Sequence, residues 1–254
     1  MTLAIVDGDV LLYMSLWNSE TQEDARKKFD SIFKENLEAI FATDYAMALG
    51  GPNNFREVLY VDYKRSLARE KSRSNKPEWF DDLKSSIAKD YSGVELSYGC
   101  ESDDLVRIWA TECDKHNKPR VVVSIDKDLD CIAGIHLNPR SGLIYEIEED
   151  WADNHYWKQI LMGDATDNIP GIAGIGKVKA DAILSFAKDH EERKAVVCQA
   201  YYKKYEEEGY SYLVTNGRLI HIWRFINDHF KMKKEFYDNA IHGRVGPLEL
   251  PITL

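Results

Sequence analysis

The sequence predicts an α/β fold, a mostly parallel central sheet flanked by helices, followed by a helical C-terminal part. Three observations lead there. Short apolar runs recur and end in acidic residues, stretches with apolar residues at helical spacing separate them, and from Asp150 onward helical spacing dominates. Alternation of strand and helix favours a parallel sheet whose ligands bind beyond the carboxyl ends of its strands.

Leu3 to Val6 is the first strand candidate and ends at Asp7. Ala25, Phe29, Ile32, Phe33, Leu37, Ile40 and Phe41 then recur at helical spacing, as a crossover helix requires. Further strands are expected at Tyr45 to Leu49, Val94 to Tyr98 and Arg120 to Ser124, with Leu105, Ile108, Trp109 and Cys113 marking a helix between the last two. Between Tyr63 and Tyr91 the pattern breaks: Lys64, Arg65, Arg69, Lys71, Arg73 and Lys76 crowd together with few apolar residues before Trp79 and Phe80. Helices are expected at Trp151 to Met162, Lys177 to Lys188 and Glu191 to Tyr205, then a β-like run from Leu219 to Trp223 and a tail with Pro247 and Pro251. The change in pattern places an α/β unit over 1–150 and a helical unit over 151–254.

A chain of 254 residues with 44% hydrophobic content can bury its own core. No basic leader precedes Asp7, and no apolar stretch reaches the roughly 18 residues of a membrane span, so a cytoplasmic protein with no membrane partner is expected. Cys100, Cys113, Cys131 and Cys198 are scattered without metal or disulfide spacing, which suits a reducing compartment. The net charge of −10 at first opposes nucleic-acid binding. Eight acidic residues, Asp7, Glu101, Asp103, Asp104, Asp126, Asp128, Asp164 and Asp167, however, fall in the clusters described next, and bound cations there would leave the Lys and Arg residues free to form local basic patches.

Asp7-Gly8-Asp9 follows a buried strand, Glu101-Ser102-Asp103-Asp104 opens a helix, Asp126-Lys127-Asp128 follows another strand, and Asp164 and Asp167 precede a glycine-isoleucine hairpin running to Lys177. Carboxylates gathered by a fold stay ionised together only where cations neutralise them. Magnesium prefers oxygen ligands, and a two-metal site needs several carboxylates from separate elements. Asp and Glu also cap helices, which is the ordinary reading of any single pair. The glycines of Gly171-Ile172-Ala173-Gly174-Ile175-Gly176-Lys177 allow close backbone approach, and a turn that opens a helix aims N–H groups at an anion. Such contacts hold phosphates without reading bases.

Two other patterns compete. The hairpin has P-loop spacing, but Val178 lacks the magnesium-binding hydroxyl and no buried strand precedes it. Asp7-Gly8-Asp9 is similar to the nucleophile pair of haloacid-dehalogenase-type phosphatases, where Asp7 would attack phosphorus; that reading leaves Glu101, Asp103, Asp104 and the hairpin unexplained.

The collinear set Asp7-Gly8, Phe55-Arg56, Tyr63-Lys64, Glu101-x-Asp103-Asp104, Ser124-x-Asp126-Lys127-Asp128 and Gly163-Asp164-x-x-Asp167-Asn168-Ile169-Pro170-Gly171 resembles the 5′-nuclease superfamily, which includes flap endonucleases and the nuclease domain of bacterial DNA polymerase I. It looks closest to the stand-alone 5′→3′ exonucleases of bacteriophages, over roughly residues 3 to 190. The resemblance implies a PIN/5′-nuclease-like fold with a helical arch at about 63–92 and a helix-three-turn-helix at about 160–188. It implies two Mg2+ ions, replaceable by Mn2+: Asp7, Glu101, Asp103 and Asp104 would hold the first, and Asp126, Asp128, Asp164 and Asp167 the second. Lys64 would contact the scissile phosphate, which Arg65 or Arg69 could also reach, and Lys64 and Arg69 are expected to add positive charge there. Arg56, Lys64, Arg65, Gly171, Gly174, Gly176 and Lys177 would contact DNA, with K+ at the hairpin.

Two departures stand out. The family commonly carries an acid shortly before its Phe-Arg pair, where this chain has Gly51, and an Arg three residues after the Tyr-Lys lysine, where it has Leu67. The expected function is a divalent-metal-dependent 5′-nuclease acting on DNA with a 5′ end or flap, with acceptance of an RNA–DNA hybrid left open by the sequence, working as a monomer in the cytoplasm, of a bacterial host if phage-encoded. The alternatives are the phosphatase and a DNA-binding relative whose metal site has weakened.

Overall fold

The computed structural model describes residues 2–66, 71 and 75–246. Arg69, Leu67, Arg73, Pro247 and Pro251 lie outside the described residues. The described chain packs as two compact units. The first comprises the described parts of Met1–Phe55, Arg73–Glu148 and Ile222–Asp228, and the second those of Arg56–Ser72, Glu149–His221 and His229–Leu254. Both units are therefore discontinuous in sequence, whereas the sequence reading placed a single boundary near residue 150.

The first unit is built on a six-stranded sheet in the order β3-β2-β1-β4-β5-β6. β1 is Leu3–Asp7, β2 Asp44–Leu49, β3 Val94–Leu96, β4 Arg120–Val123, β5 Gly134–Leu137 and β6 Ile144–Ile147. All neighbours pair in parallel except β5 with β6, which are antiparallel. Ala4, Ile5 and Val6 are all buried, as are Val121, Val122 and Val123, so both faces of the central strands are covered. Burial on both faces makes such strands read as unbroken apolar runs rather than alternating ones. The helices of this unit are α1 (Gly8–Leu16), α2 (Gln22–Ala39), α4 (Phe80–Asp90) and α5 (Ser102–Lys115). The side chain of Thr21 caps α2 by accepting from the Asp24 N–H at 3.1 Å. Phe29 and Phe33 of α2 and Leu83 and Ile87 of α4 pack with Val6, Met47 and Leu49 in one core.

The parallel register carries the function. Asp7 lies opposite Ala48 of β2, and Val6 opposite Val123 of β4. The carboxyl ends of β1, β2 and β4 are therefore level, which delivers Asp7, Gly50 and Ser124 to one edge.

The second unit is helical: α6 (Glu149–Met162), α7 (Lys177–Leu184), α8 (His190–Tyr205), α9 (Gly209–Ile220) and α10 (Lys234–Ile241). Its core gathers Trp157, Ile160, Leu161, Ile172, Ile183, Val197, Tyr201, Leu213, Phe230 and Tyr237. α3 (Phe55–Leu59) is a short helix preceding the Tyr63-Lys64 turn. The expected β-like run from Leu219 is not a strand: α9 continues to Ile220 and the next residues are irregular. Gly217 inside α9 lets Phe230 pack against the helix backbone, since a Cβ there would meet the Phe230 ring at 2.3 Å.

Candidate metal and phosphate sites

In the first unit the site grows from the end of β1. Asp7 is the N-cap of α1: it accepts from the Val10 N–H at 3.2 Å and from the Ser124 hydroxyl at 2.8 Å. The Ser124 oxygen in turn accepts from the Asp126 N–H at 2.9 Å, and Asp126 accepts from the Asp128 N–H at 2.9 Å. Strand ends thus hand one another hydrogen bonds, and Asp126 stays exposed at the surface. Asp7 itself is 2% exposed. Burial first, then the nearby Asp9 and Asp126 carboxylates, push its pKa up to about 7 against the pull of the Ser124 and Val10 hydrogen bonds. A carboxyl held this way is short of positive charge.

Asp9 sits two residues on, in the first turn of α1. Its carboxylate accepts from the Gly50 N–H at 2.8 Å and from the Ser102 hydroxyl at 3.0 Å, and lies 3.4 Å from the Lys84 ammonium. An ideal Cβ on Gly50 would come within 2.8 Å of the Asp9 carboxylate. The space beyond β2 is therefore filled by an acid contributed from α1. Gly51 cannot supply one: a Cβ there would stand 1.8 Å from the Ser97 carbonyl oxygen, and its N–H donates to the Ser97 hydroxyl at 2.9 Å. The expectation that Gly51 marks a vacated ligand position is corrected, because backbone fills the space that its side chain would need.

Glu101 precedes α5, with Ser102, Asp103 and Asp104 in its first turn, where carboxylates are favoured by the helix dipole. Asp103 and Glu101 are half-buried. Asp104 is fully buried; it accepts from the Glu101 N–H at 2.9 Å and from the Trp223 N–H at 2.8 Å. Trp223 also stacks on Phe55, with centroids 5.0 Å apart. Sequence reasoning missed Trp223 and Asp9. Asp9 was visible beside Asp7, but nothing in the sequence links Trp223 to a helix start 119 positions away.

In the second unit Asp164 and Ile169 exchange backbone hydrogen bonds of 2.9 and 2.7 Å, closing a turn in which the Asp164 carboxylate accepts from the Thr166 N–H at 2.6 Å. The Tyr63-Lys64 turn binds this one. The Lys64 N–H donates to the Asp167 carbonyl at 2.8 Å, the Lys64 ammonium lies 3.3 Å from the Asp167 carboxylate, and the Asn168 amide donates to the Asp62 carbonyl at 2.9 Å. Lys64 is held at φ +54, a strained conformation for a residue with a Cβ. Lys64 and Asp167 are thus brought together.

The hairpin separates into two kinds of glycine. Gly163 and Gly171, at φ +70 and +58, back onto each other; a Cβ on Gly171 would meet the Met162 carbonyl carbon at 2.2 Å. Gly171 is buried and closes the turn, which corrects its expected contact with DNA. Gly174 and Gly176 have nothing within 4 Å of an added Cβ, and both are exposed, as is Lys177 at the start of α7. Arg65 is exposed too. Arg56 is not: it is 1% exposed, donating from Nε to the Leu219 carbonyl at 2.9 Å and from Nη2 to the His221 carbonyl at 2.7 Å. Its expected role in DNA binding is corrected, since it is a cation spent on the carbonyl end of α9, where the helix dipole favours it.

The donor set of the first unit suits a hard divalent ion. Every candidate ligand is a carboxylate oxygen, no cysteine or histidine joins them among the described residues, and the raised Asp7 marks a cluster that a cation would relieve.

No protein-family profile matches the chain. Among curated proteins it is similar to DNA polymerase I of Chloroflexus aurantiacus, 27% identical over 207 residues, covering 72% of this chain and 22% of that one. It is also similar to DNA polymerase I of Pseudomonas aeruginosa, 26% identical over 151 residues, covering 53% and 15%. The chain thus spans about a fifth or less of the length of these relatives. Among solved structures it matches the zinc-bound 5′-exonuclease of bacteriophage T5 with a TM-score of 0.65 at 17% identity, covering 96% of this chain and 94% of that one. The flap endonuclease-1 of Methanococcus jannaschii matches with a TM-score of 0.52 at 15% identity, covering 96% and 86%. The chain has the fold of these 5′-nucleases.

Proposed function

We propose that this chain is a divalent-metal-dependent 5′-nuclease that hydrolyses phosphodiester bonds of DNA at or near a 5′ end. The single observation that carries the reading is the convergence of acidic residues at the shared carboxyl end of β1, β2 and β4, where Ser124 links the buried Asp7 to the Asp126 turn. Its fold, and its sequence likeness to DNA polymerases I, support the same reading.

Following the motif resemblance, Asp7, Glu101, Asp103 and Asp104 serve a first ion, and Asp104 also fixes the start of α5 through its bonds to the Glu101 and Trp223 N–H groups. Asp126, Asp128, Asp164 and Asp167 serve a second. Bound Mg2+ or Mn2+ would supply acidified water for attack and charge to offset that developing on the scissile phosphate. The protein's own groups do the rest. Ser124 orients Asp7, and Lys64 exchanges Asp167 for a substrate phosphate. Arg69 is proposed to add charge to the same phosphate. Gly174, Gly176, Arg65 and Lys177 hold the duplex backbone, with K+ at the hairpin carbonyls, and grip without reading bases. A monomer acting in the cytoplasm, on RNA–DNA hybrids as well as DNA, belongs to the same proposal.

The phosphatase reading requires Asp7 to attack phosphorus. A residue 2% exposed, with hydrogen bonds from Ser124 and Val10, is poorly placed as a nucleophile. The test is cleavage of a 5′-flapped duplex set beside turnover of a small phosphomonoester, each with metal titrated. Metal-dependent flap cleavage alone supports the proposal, phosphomonoester turnover alone supports the phosphatase, and duplex binding without either supports a weakened relative.

A further inference from the structure

Lys84, on the face of α4 toward the end of β2, belongs to none of the motifs above. Its ammonium donates to the Gly50 carbonyl oxygen and lies 3.4 Å from the Asp9 carboxylate, with the two side chains only 19% and 27% exposed. The same carboxylate accepts from the Gly50 N–H and the Ser102 hydroxyl. Asp9 is therefore surrounded by donors from three elements: the turn after β2, the first residue of α5, and α4. Ser102 directly follows Glu101 and precedes Asp103, so whatever fixes Asp9 also fixes the helix start that carries those carboxylates.

Among the described residues, Lys84 is the cation that faces Asp9 at ion-pair distance. A half-buried carboxylate with three partners has few lone pairs left for a metal, and a neighbouring ammonium repels one.

We propose that Lys84 is the resident counter-ion of this carboxylate cluster, a positioning residue that keeps Asp9 out of the metal-ligand set and thereby sets how tightly the cluster takes a divalent cation. The inference rests on the metal-dependent reading above. Asp9 braces β2 and α5, and the metal is left to the carboxylates that Asp9 does not replace. Removing the Lys84 charge frees Asp9 as an additional, unneutralised oxygen donor. One unit charge roughly 6 Å from a divalent ion changes its affinity about tenfold even at the dielectric of water.

The experiment measures Mn2+ uptake by the DNA-free, full-length protein, by the electron paramagnetic resonance signal of unbound Mn2+. Lys84→Met keeps the length of the stem and should bind Mn2+ about tenfold more tightly than wild type. Lys84→Arg, which keeps the charge, should stay within about twofold. Asp9→Asn combined with Lys84→Met should return affinity close to wild type, since both charges of the pair are gone. Lys84→Met binding Mn2+ with unchanged or weaker affinity would overturn the proposal. If Lys84→Met loses its circular dichroism in chelator, recovery on adding Mn2+ supports the counter-ion role, and failure to recover assigns Lys84 to packing and overturns it. A wild-type protein that takes up no Mn2+ would instead remove the metal reading itself, and this inference with it.

Discussion

Replacing Arg56 by Met should destabilise the second unit while leaving its proposed phosphate contacts intact. The guanidinium is 1% exposed and donates to the Leu219 and His221 carbonyls at 2.9 and 2.7 Å. Hydrogen bonds made by a charged donor contribute about 1.5–3 kcal/mol each, and stranding the buried acceptors adds a desolvation cost. Two such bonds put the loss at about 3–6 kcal/mol. Met fills most of the stem volume, so little of this comes from a cavity. At roughly 2–4 °C per kcal/mol for a chain of this size, the melting temperature should fall by about 10 °C. Urea unfolding followed by circular dichroism reads the loss, and fluorescence anisotropy of a labelled duplex in chelator reads binding at a temperature where the variant is folded. A variant with wild-type stability and duplex binding weakened tenfold or more would refute the reasoning and return Arg56 to the DNA.

Asp126→Asn and Asp128→Asn should each reduce cleavage below a tenth of the wild-type rate while duplex affinity stays within a few-fold, because the proposed phosphate contacts lie on other residues; gel-resolved cleavage rates and anisotropy check the pair. Lys177→Ala should lower the slope of log affinity against log salt by about one if its ammonium neutralises one phosphate, and an unchanged slope would place it elsewhere. His190 is held above its usual pKa chiefly by its 2.6 Å hydrogen bond to the Asp153 carboxylate. A raised folded pKa means that the pairing stabilises fully below about 6.5 and is lost as pH rises through the folded value. Asp153→Asn should therefore flatten the pH dependence of melting temperature above pH 6, and a profile identical to wild type would dissociate the two residues.

Much of the fold is written in local pattern. β1, β2 and β4 are buried on both faces and so appear as plain apolar runs, and α2 shows its buried stripe directly. β5 and β6 escaped notice because Gly134, Ile135 and His136, and Tyr145 and Glu146, carry neither an apolar run nor clean alternation; their pairing with one another supplies what their residues do not. α1 was hidden by Asp7-Gly8-Asp9, which looks like a loop until Asp7 is seen to cap the helix. The acidic pairs of the candidate site were legible because strand ends and helix starts place them. Arg56 was misjudged, since an Arg after a polar turn looks exposed and only the distant end of α9 buries it. Gly51 was misjudged for a similar reason: the obstacle to a side chain is the Ser97 carbonyl of another segment.

The central claim is that the carboxylates gathered around Asp7 take a divalent ion for cutting DNA near a 5′ end. Time-resolved sizing of products from 5′-labelled blunt, nicked and flapped duplexes, with Mg2+ titrated from chelator upward, tests it most directly. Short 5′-labelled products that appear only with metal, and vanish in Asp128→Asn, are the predicted result. Cleavage that persists in chelator, or intact DNA at every Mg2+ and Mn2+ concentration from a folded protein, would contradict it.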